Sequence, residues 1–149
     1  MDAHADNPPG SGDGAVLISG AVESPRTFTA DYLSHPTCGT QSATFETHSS
    51  SETHLFQGCA LEPMIMAAQP VARAAGNLSL GVLAVGADGY TAALSWGDLS
   101  PMLARRPAIV AWREDGNLLP RPRLVVPDDI NGARYVKQLT ELRVVPLTD

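Results

Sequence analysis

The sequence predicts a mainly β, α+β domain, and three observations carry that expectation. Apolar residues recur in many short runs bounded by Gly, Pro, Asn and Asp; helical spacing is confined to two or three brief stretches; and twelve prolines punctuate the chain. None of this has the strand–helix–strand alternation that builds a parallel sheet with crossover helices. The 149 residues are 44% hydrophobic and 17% charged. A domain of that length buries roughly two thirds of its unfolded surface and needs no disulfide or structural metal to hold a core.

Each element follows from local chemistry. Residues 1–14 (MDAHADNPPGSGDG) have nothing to bury and read as a disordered tail, leaving 15–149 as one domain. Ala15 to Val22 is an apolar strand, closed by a turn at Glu23 to Arg26 in which Pro25 ends the pairing. Thr29 is placed to cap one helical turn running to Leu33. Gln41 to His48 alternates around Ala43 and Phe45, and Glu52 to Gln57 carries Leu55 and Phe56, which predicts a hairpin with Ser49, Ser50 and Ser51 at its tip. Pro63 stands early in a helically spaced apolar stretch from Leu61 to Ala68, so a short helix begins near Glu62. Leu78 to Val85 and Tyr90 to Trp96 make a second hairpin across the glycine-bounded turn from Gly86 to Gly89. Gly97 to Leu103 holds one helical turn with Asp98 near its start. Pro107 to Arg113 is a strand followed by a turn at Glu114 to Asn117. Arg123 to Val126 and Tyr135 to Val145 complete the strands.

Charge and composition exclude several classes of function. A net charge of −6 argues against nucleic acid as a partner, since phosphate contacts need a basic face. The longest apolar runs are far shorter than the roughly 20 residues of a spanning helix, so the chain is not a membrane partner. Residues 1–14 have neither the cationic head nor the apolar stretch of a secretory signal, which gives a cytoplasmic chain or an exported one whose leader has been removed. Cys38 and Cys59 lack a CxxC partner or a His at ligand spacing and read as two small apolar side chains, with a bridge between them left open. The basic residues are unevenly placed: eight of the ten lie between Arg105 and Arg143, building either a local anion site or a solvated surface.

Five fragments, in order, carry a family resemblance: Gly20-Ala-Val-Glu-Ser-Pro25 with Phe28, Gln57-Gly-Cys-Ala-Leu61, Gly86-Ala-Asp-Gly-Tyr90, Arg106-Pro-Ala-Ile-Val-Ala111 and Pro122-Arg-Leu-Val-Val-Pro127. The segment that follows, Gly132-Ala-Arg-Tyr-Val-Lys-Gln-Leu139, is similar to a G-A-R-x-V-K-W-L motif. Together they resemble the molybdopterin-binding domain of the sulfite oxidase family, over about Ile18 to Val145. The resemblance implies that fold, a molybdopterin cofactor, and a role for Arg134 and Lys137 at the pterin phosphate. It departs from the family where a T-L-Q-C-A-G-N segment supplies the cysteine that ligates molybdenum. Here the text is Thr44-Phe-Glu-Thr-His-Ser-Ser50, and Thr47 stands at the cysteine's place. A neutral hydroxyl does not replace a soft thiolate on that metal.

Independently of the resemblance, Arg134 can fork two N–H groups onto a phosphate or carboxylate and Lys137 adds a point charge. Spacing of three separates them on a strand, so sharing an anion needs a bend or helical turn, which Asn131-Gly132 can introduce. His48 offers an imidazole suited to acid–base work, with Glu46, Thr47 and His54 around it. The expected site is therefore Thr47 and His48 as catalytic groups, Arg134, Lys137, Tyr90, Trp96 and Tyr135 as ligand-binding groups, and no metal ligands. The leading expectation is a cofactor-independent protein that binds a small organic ligand and cyclises, isomerises or rearranges it in a vacated molybdopterin-type pocket. Two alternatives stand beside it: a molybdopterin-dependent oxidoreductase, and a non-catalytic interaction module.

Overall fold

The computed structural model describes residues 14–72 and 76–147. Nine strands form two sheets. β1 (Val16–Gly20), β2 (Arg26–Phe28), β5 (Leu80–Gly86), β6 (Thr91–Ser95) and β9 (Leu139–Pro146) make a five-stranded sheet in the order β2-β1-β9-β5-β6. β3 (Cys38–Glu46), β4 (Ser51–Ala60), β7 (Ile109–Glu114) and β8 (Asn117–Val125) make a four-stranded sheet in that order. Helices α1 (Leu61–Ala67) and α2 (Trp96–Leu99) are short. The mainly β, α+β class read from the sequence is the observed one, and no helix is long and apolar enough to cross a membrane among the described residues.

Period-2 burial explains the sheets. Val16 and Ile18 of β1, Leu80, Val82 and Ala84 of β5, and Leu139, Leu142 and Val144 of β9 all turn inward. Phe45, Phe56, Val110, Trp112 and Leu124 do so from the other sheet, and Leu61, Met64 and Ile65 of α1 join them in one cluster. Two of the motif fragments are tied directly: Arg106 donates from Nε to Asp128 Oδ1 at 3.0 Å and from Nη2 to the Pro127 carbonyl at 2.6 Å. The tail expected over 1–14 lies outside the described residues except for Gly14, whose carbonyl accepts from the Trp112 indole at 3.3 Å.

Three expectations change. After the turn at Pro25 the chain re-pairs with β1 as the short antiparallel strand β2. β8 begins at Asn117 rather than Arg123, because it is an edge strand in which Pro120 and Pro122 remove no needed ladder donor. The Tyr135 to Val145 strand starts only at Leu139; Gly132–Arg134 is a 3-10 turn, opened by Asn131, whose Oδ1 accepts from Ala133 N at 2.7 Å. A smaller difference is at Thr29, which flanks the 3-10 turn Ala30–Ser34 without a side-chain cap.

Cys38 and Cys59 are not two independent apolar side chains. They face each other across β3 and β4 and form a disulfide. The bridge closes a loop with a sequence separation of 21 and so restricts the unfolded chain. It sits at the end of the hairpin away from the tip at residues 47–50. Replacing both with Ala is expected to lower unfolding free energy by about 3 kcal/mol in denaturant titration while leaving the hairpin tip at residues 47–50 folded.

Candidate functional site

Alternation along β4 places Glu52, His54 and Phe56 on one face, opposite Phe45, Ala43 and Gln41 of β3. Glu114 pairs with Phe56 from β7. This face meets the segment after β8. Glu46 N donates to the Ile130 carbonyl at 2.8 Å, and Glu46 bridges to Asn131 in parallel, which stitches the end of β3 to that segment. Gly132 lies so close that a Cβ there would come within 2.8 Å of Phe45 Cδ2. Between hairpin tip and segment opens a cleft of about 630 Å³ lined by Glu46, Thr47, His48, Glu52, Tyr90, Arg123, Asn131, Gly132 and Lys137 among others.

Four of the seven sequence-predicted residues meet here: Thr47, His48, Tyr90 and Lys137. The Thr47 hydroxyl donates to the Ser50 carbonyl at 3.1 Å and accepts from Ser50 N at 3.2 Å, so it shapes the tip. Tyr90 donates its hydroxyl to the Ala133 carbonyl and closes one side. Tyr135 is 4% exposed and borders an adjoining cavity of about 280 Å³ with Asp88, Tyr90 and Lys137. Its hydroxyl is buried without a partner, and burial, reinforced by Asp129, pushes its pKa up to about 12. Trp96 opens α2 inside the core at 5% exposure and is not among the lining residues.

Arg134 is placed elsewhere. Its Nε and Nη2 donate to Asp129 at 2.8 Å each, Nη1 and Nη2 reach Asp98 at 3.0 and 3.2 Å, and Nη1 donates to the Ala93 carbonyl at 3.1 Å. These contacts use all five N–H donors of a guanidinium. The helical turn at Gly132 did form, yet it sends Arg134 to the acids and Lys137 to the cleft. Its hydrogen bonds to Asp129 and Asp98 raise the Arg134 pKa. For Asp98, burial works against the charge, but hydrogen bonds from Arg134 and Ser95 outweigh it and hold the carboxyl below its ordinary value.

The residue that sequence reasoning passed over is Arg123. Its side chain is 13% exposed, and its guanidinium carbon stands 5.7 Å from the Phe45 centroid and 5.8 Å from those of Phe56 and Tyr135, within cation–π range. Nη1 donates to Glu114 Oε1 at 2.6 Å, while Nε is buried with no partner. A signal was present: Leu119, Arg121 and Arg123 share one face of β8, so an arginine repeats at strand period beside the motif's apolar run.

No family model and no curated protein matches this sequence. Solved structures do. The crystal structure of the sulfane dehydrogenase SoxCD from Paracoccus pantotrophus superposes with a TM-score of 0.70 at 19% identity, covering 87% of this chain and 37% of that one. At this identity the likeness is one of fold alone. The chain spans 37% of the length of that protein's chain.

The donor set does not fit a molybdenum held by a protein thiolate. Thr47 carries a hydroxyl engaged in the hairpin turn, and the chain's two cysteines are joined to each other at the hairpin's far end.

Because Arg134 neutralises Asp98 and Asp129, Arg134→Gln is expected to destabilise the protein at neutral pH by about 2 kcal/mol. The Asp98 share of that stability is present above the ordinary carboxylate value of 3.8 and is lost as pH falls through the depressed folded value. Thermal unfolding against pH therefore shows the gap between wild type and variant narrowing in acid.

Proposed function

We propose that the cleft binds a small organic anion and promotes its cyclisation, isomerisation or rearrangement without a cysteine-ligated metal. The observation that carries this reading is Arg123. It is a largely buried guanidinium on the cleft, set against the rings of Phe45, Phe56 and Tyr135. Lys137 adds a second cation on the same lining. An anionic group held between them is attracted by both charges and by directional N–H donors in a site partly shielded from water.

The remaining lining residues suit proton movement. His48 stands at the hairpin tip over the cleft, and an imidazole can take a proton from one position of a bound molecule and return it at another. Tyr90, Gly132 and Phe45 restrict the poses available, which favours one reactive conformer. Such a reaction transfers no electrons and needs no redox centre.

A second reading, a molybdopterin-dependent oxidoreductase, is favoured by the fold likeness to SoxCD. One preparation separates the two: protein purified from a host that makes molybdopterin, examined by native mass spectrometry with metal analysis. The expected result is no stoichiometric molybdenum. Sulfate or a simple carboxylate titrated into the same protein binds, and Arg123→Gln weakens that binding about tenfold or more, the loss of one charge-assisted hydrogen bond. Near-stoichiometric molybdenum with a bound pterin would overturn the proposal.

A further inference from the structure

The anion receptor of the cleft is itself held by a charged network, and one imidazole stands at its centre. His54 Nε2 lies 2.9 Å from Glu52 Oε1, and Nδ1 lies 2.6 Å from Asp115 Oδ2 and 3.7 Å from Glu114 Oε2. The other oxygen of Glu114 accepts from Arg123. Asp115 is fixed in turn, since its Oδ1 accepts from Leu55 N at 2.8 Å. The groups facing His54 are thus Glu52 from its own strand, Glu114 at the end of β7, Asp115 in the β7–β8 turn, and the rings of Phe45 and Phe56 at 5.9 and 6.0 Å. Arg123 of β8 stands beyond Glu114.

We propose that His54 is a positioning residue whose proton decides whether the cleft accepts an anion, through Glu52 and through the Glu114–Arg123 pair. This rests on the anion reading given above. Two ring nitrogens each facing a carboxylate require two N–H donors, which only the imidazolium has. A neutral ring has one. On losing the proton, Glu52 or Asp115 loses its donor and meets a lone pair instead, and Glu114 loses the positive charge beside it. Glu52 lines the cleft, so its uncompensated carboxylate then competes for the cations that would take a ligand. The side-chain hydrogen bonds to Glu52 and Asp115 raise the His54 pKa above the ordinary 6.5, with Glu114 adding to them and desolvation opposing. The imidazolium is therefore the form below that raised value, and the receptor weakens as pH rises through it.

Nitrogen-resolved NMR of the intact chain tests this with sulfate, whose charge is constant over the pH range used. In ligand-free wild type, the Arg123 Nε resonance is expected to move with the same midpoint as the His54 ring nitrogens. Sulfate affinity falls about fivefold or more across that midpoint, and in His54→Gln both quantities are flat, with affinity at the weak level. An Arg123 resonance that ignores the His54 titration overturns the proposal, as does a His54→Gln variant that keeps the wild-type pH profile. Failure of sulfate to bind wild type at any pH overturns the anion reading instead. The ligand-free coupling, which needs no variant to fold, still decides the role of His54.

Discussion

One guanidinium holds the cleft's second wall in place. Arg134 gathers Asp98 of α2, the Ala93 carbonyl of β6 and Asp129 of the segment after β8, and that segment supplies Asn131, Gly132 and Lys137 to the cleft. Asp98 serves twice, because its Oδ2 also accepts from Ser95 N at 2.8 Å as the capping box of α2. A short helix, a strand end and a loop therefore share one carboxylate. A lysine has no planar fork with which to span three acceptors in different directions, so arginine is the residue type this junction requires.

The same logic answers what the crowded cations of the C-terminal half are for. At least four of the eight between Arg105 and Arg143 are held by acids of the protein itself. Arg106 pairs with Asp128, Arg123 with Glu114, Arg134 with Asp98 and Asp129, and Arg143 with Glu141. The exposed pairs of Arg106 and Arg143 contribute little individually; their effect is to fix where loops run. The less exposed pairs of Arg123 and Arg134 do different work, one presenting a cation to a cleft and the other removing a cation from it.

Much of this architecture was legible in the sequence, because period-2 burial and turn chemistry act locally. The hairpin tip at residues 47–50, the turn at Gly86–Gly89 and the α1 start all follow from residues within a few positions of one another. The site was half legible. Thr47, His48, Tyr90 and Lys137 line one cleft, whereas Arg134 was assigned by its charge and its motif, and local sequence carries no sign that Asp98, 36 positions earlier, would claim it. Arg123 was passed over and His54 was read only as a neighbour of His48, for the related reason that both stand beside Glu114 of another strand. The facing of Cys38 and Cys59 is likewise a matter of hairpin register, which places them opposite each other.

The position of β9 carries a consequence for how the molecule comes into being. It is the central strand of the five-stranded sheet, paired in parallel with β1, where Leu17 faces Glu141, and antiparallel with β5. β1 and β2 precede β5 and β6 in the chain, and neither hairpin has its partner until β9 has been made. The four-stranded sheet, whose strands are already complete by Val125, can assemble beforehand. The nascent chain thus carries exposed strand edges from β1 until β9 is made, and closure pairs Leu17 with Glu141, a contact whose long loop slows folding.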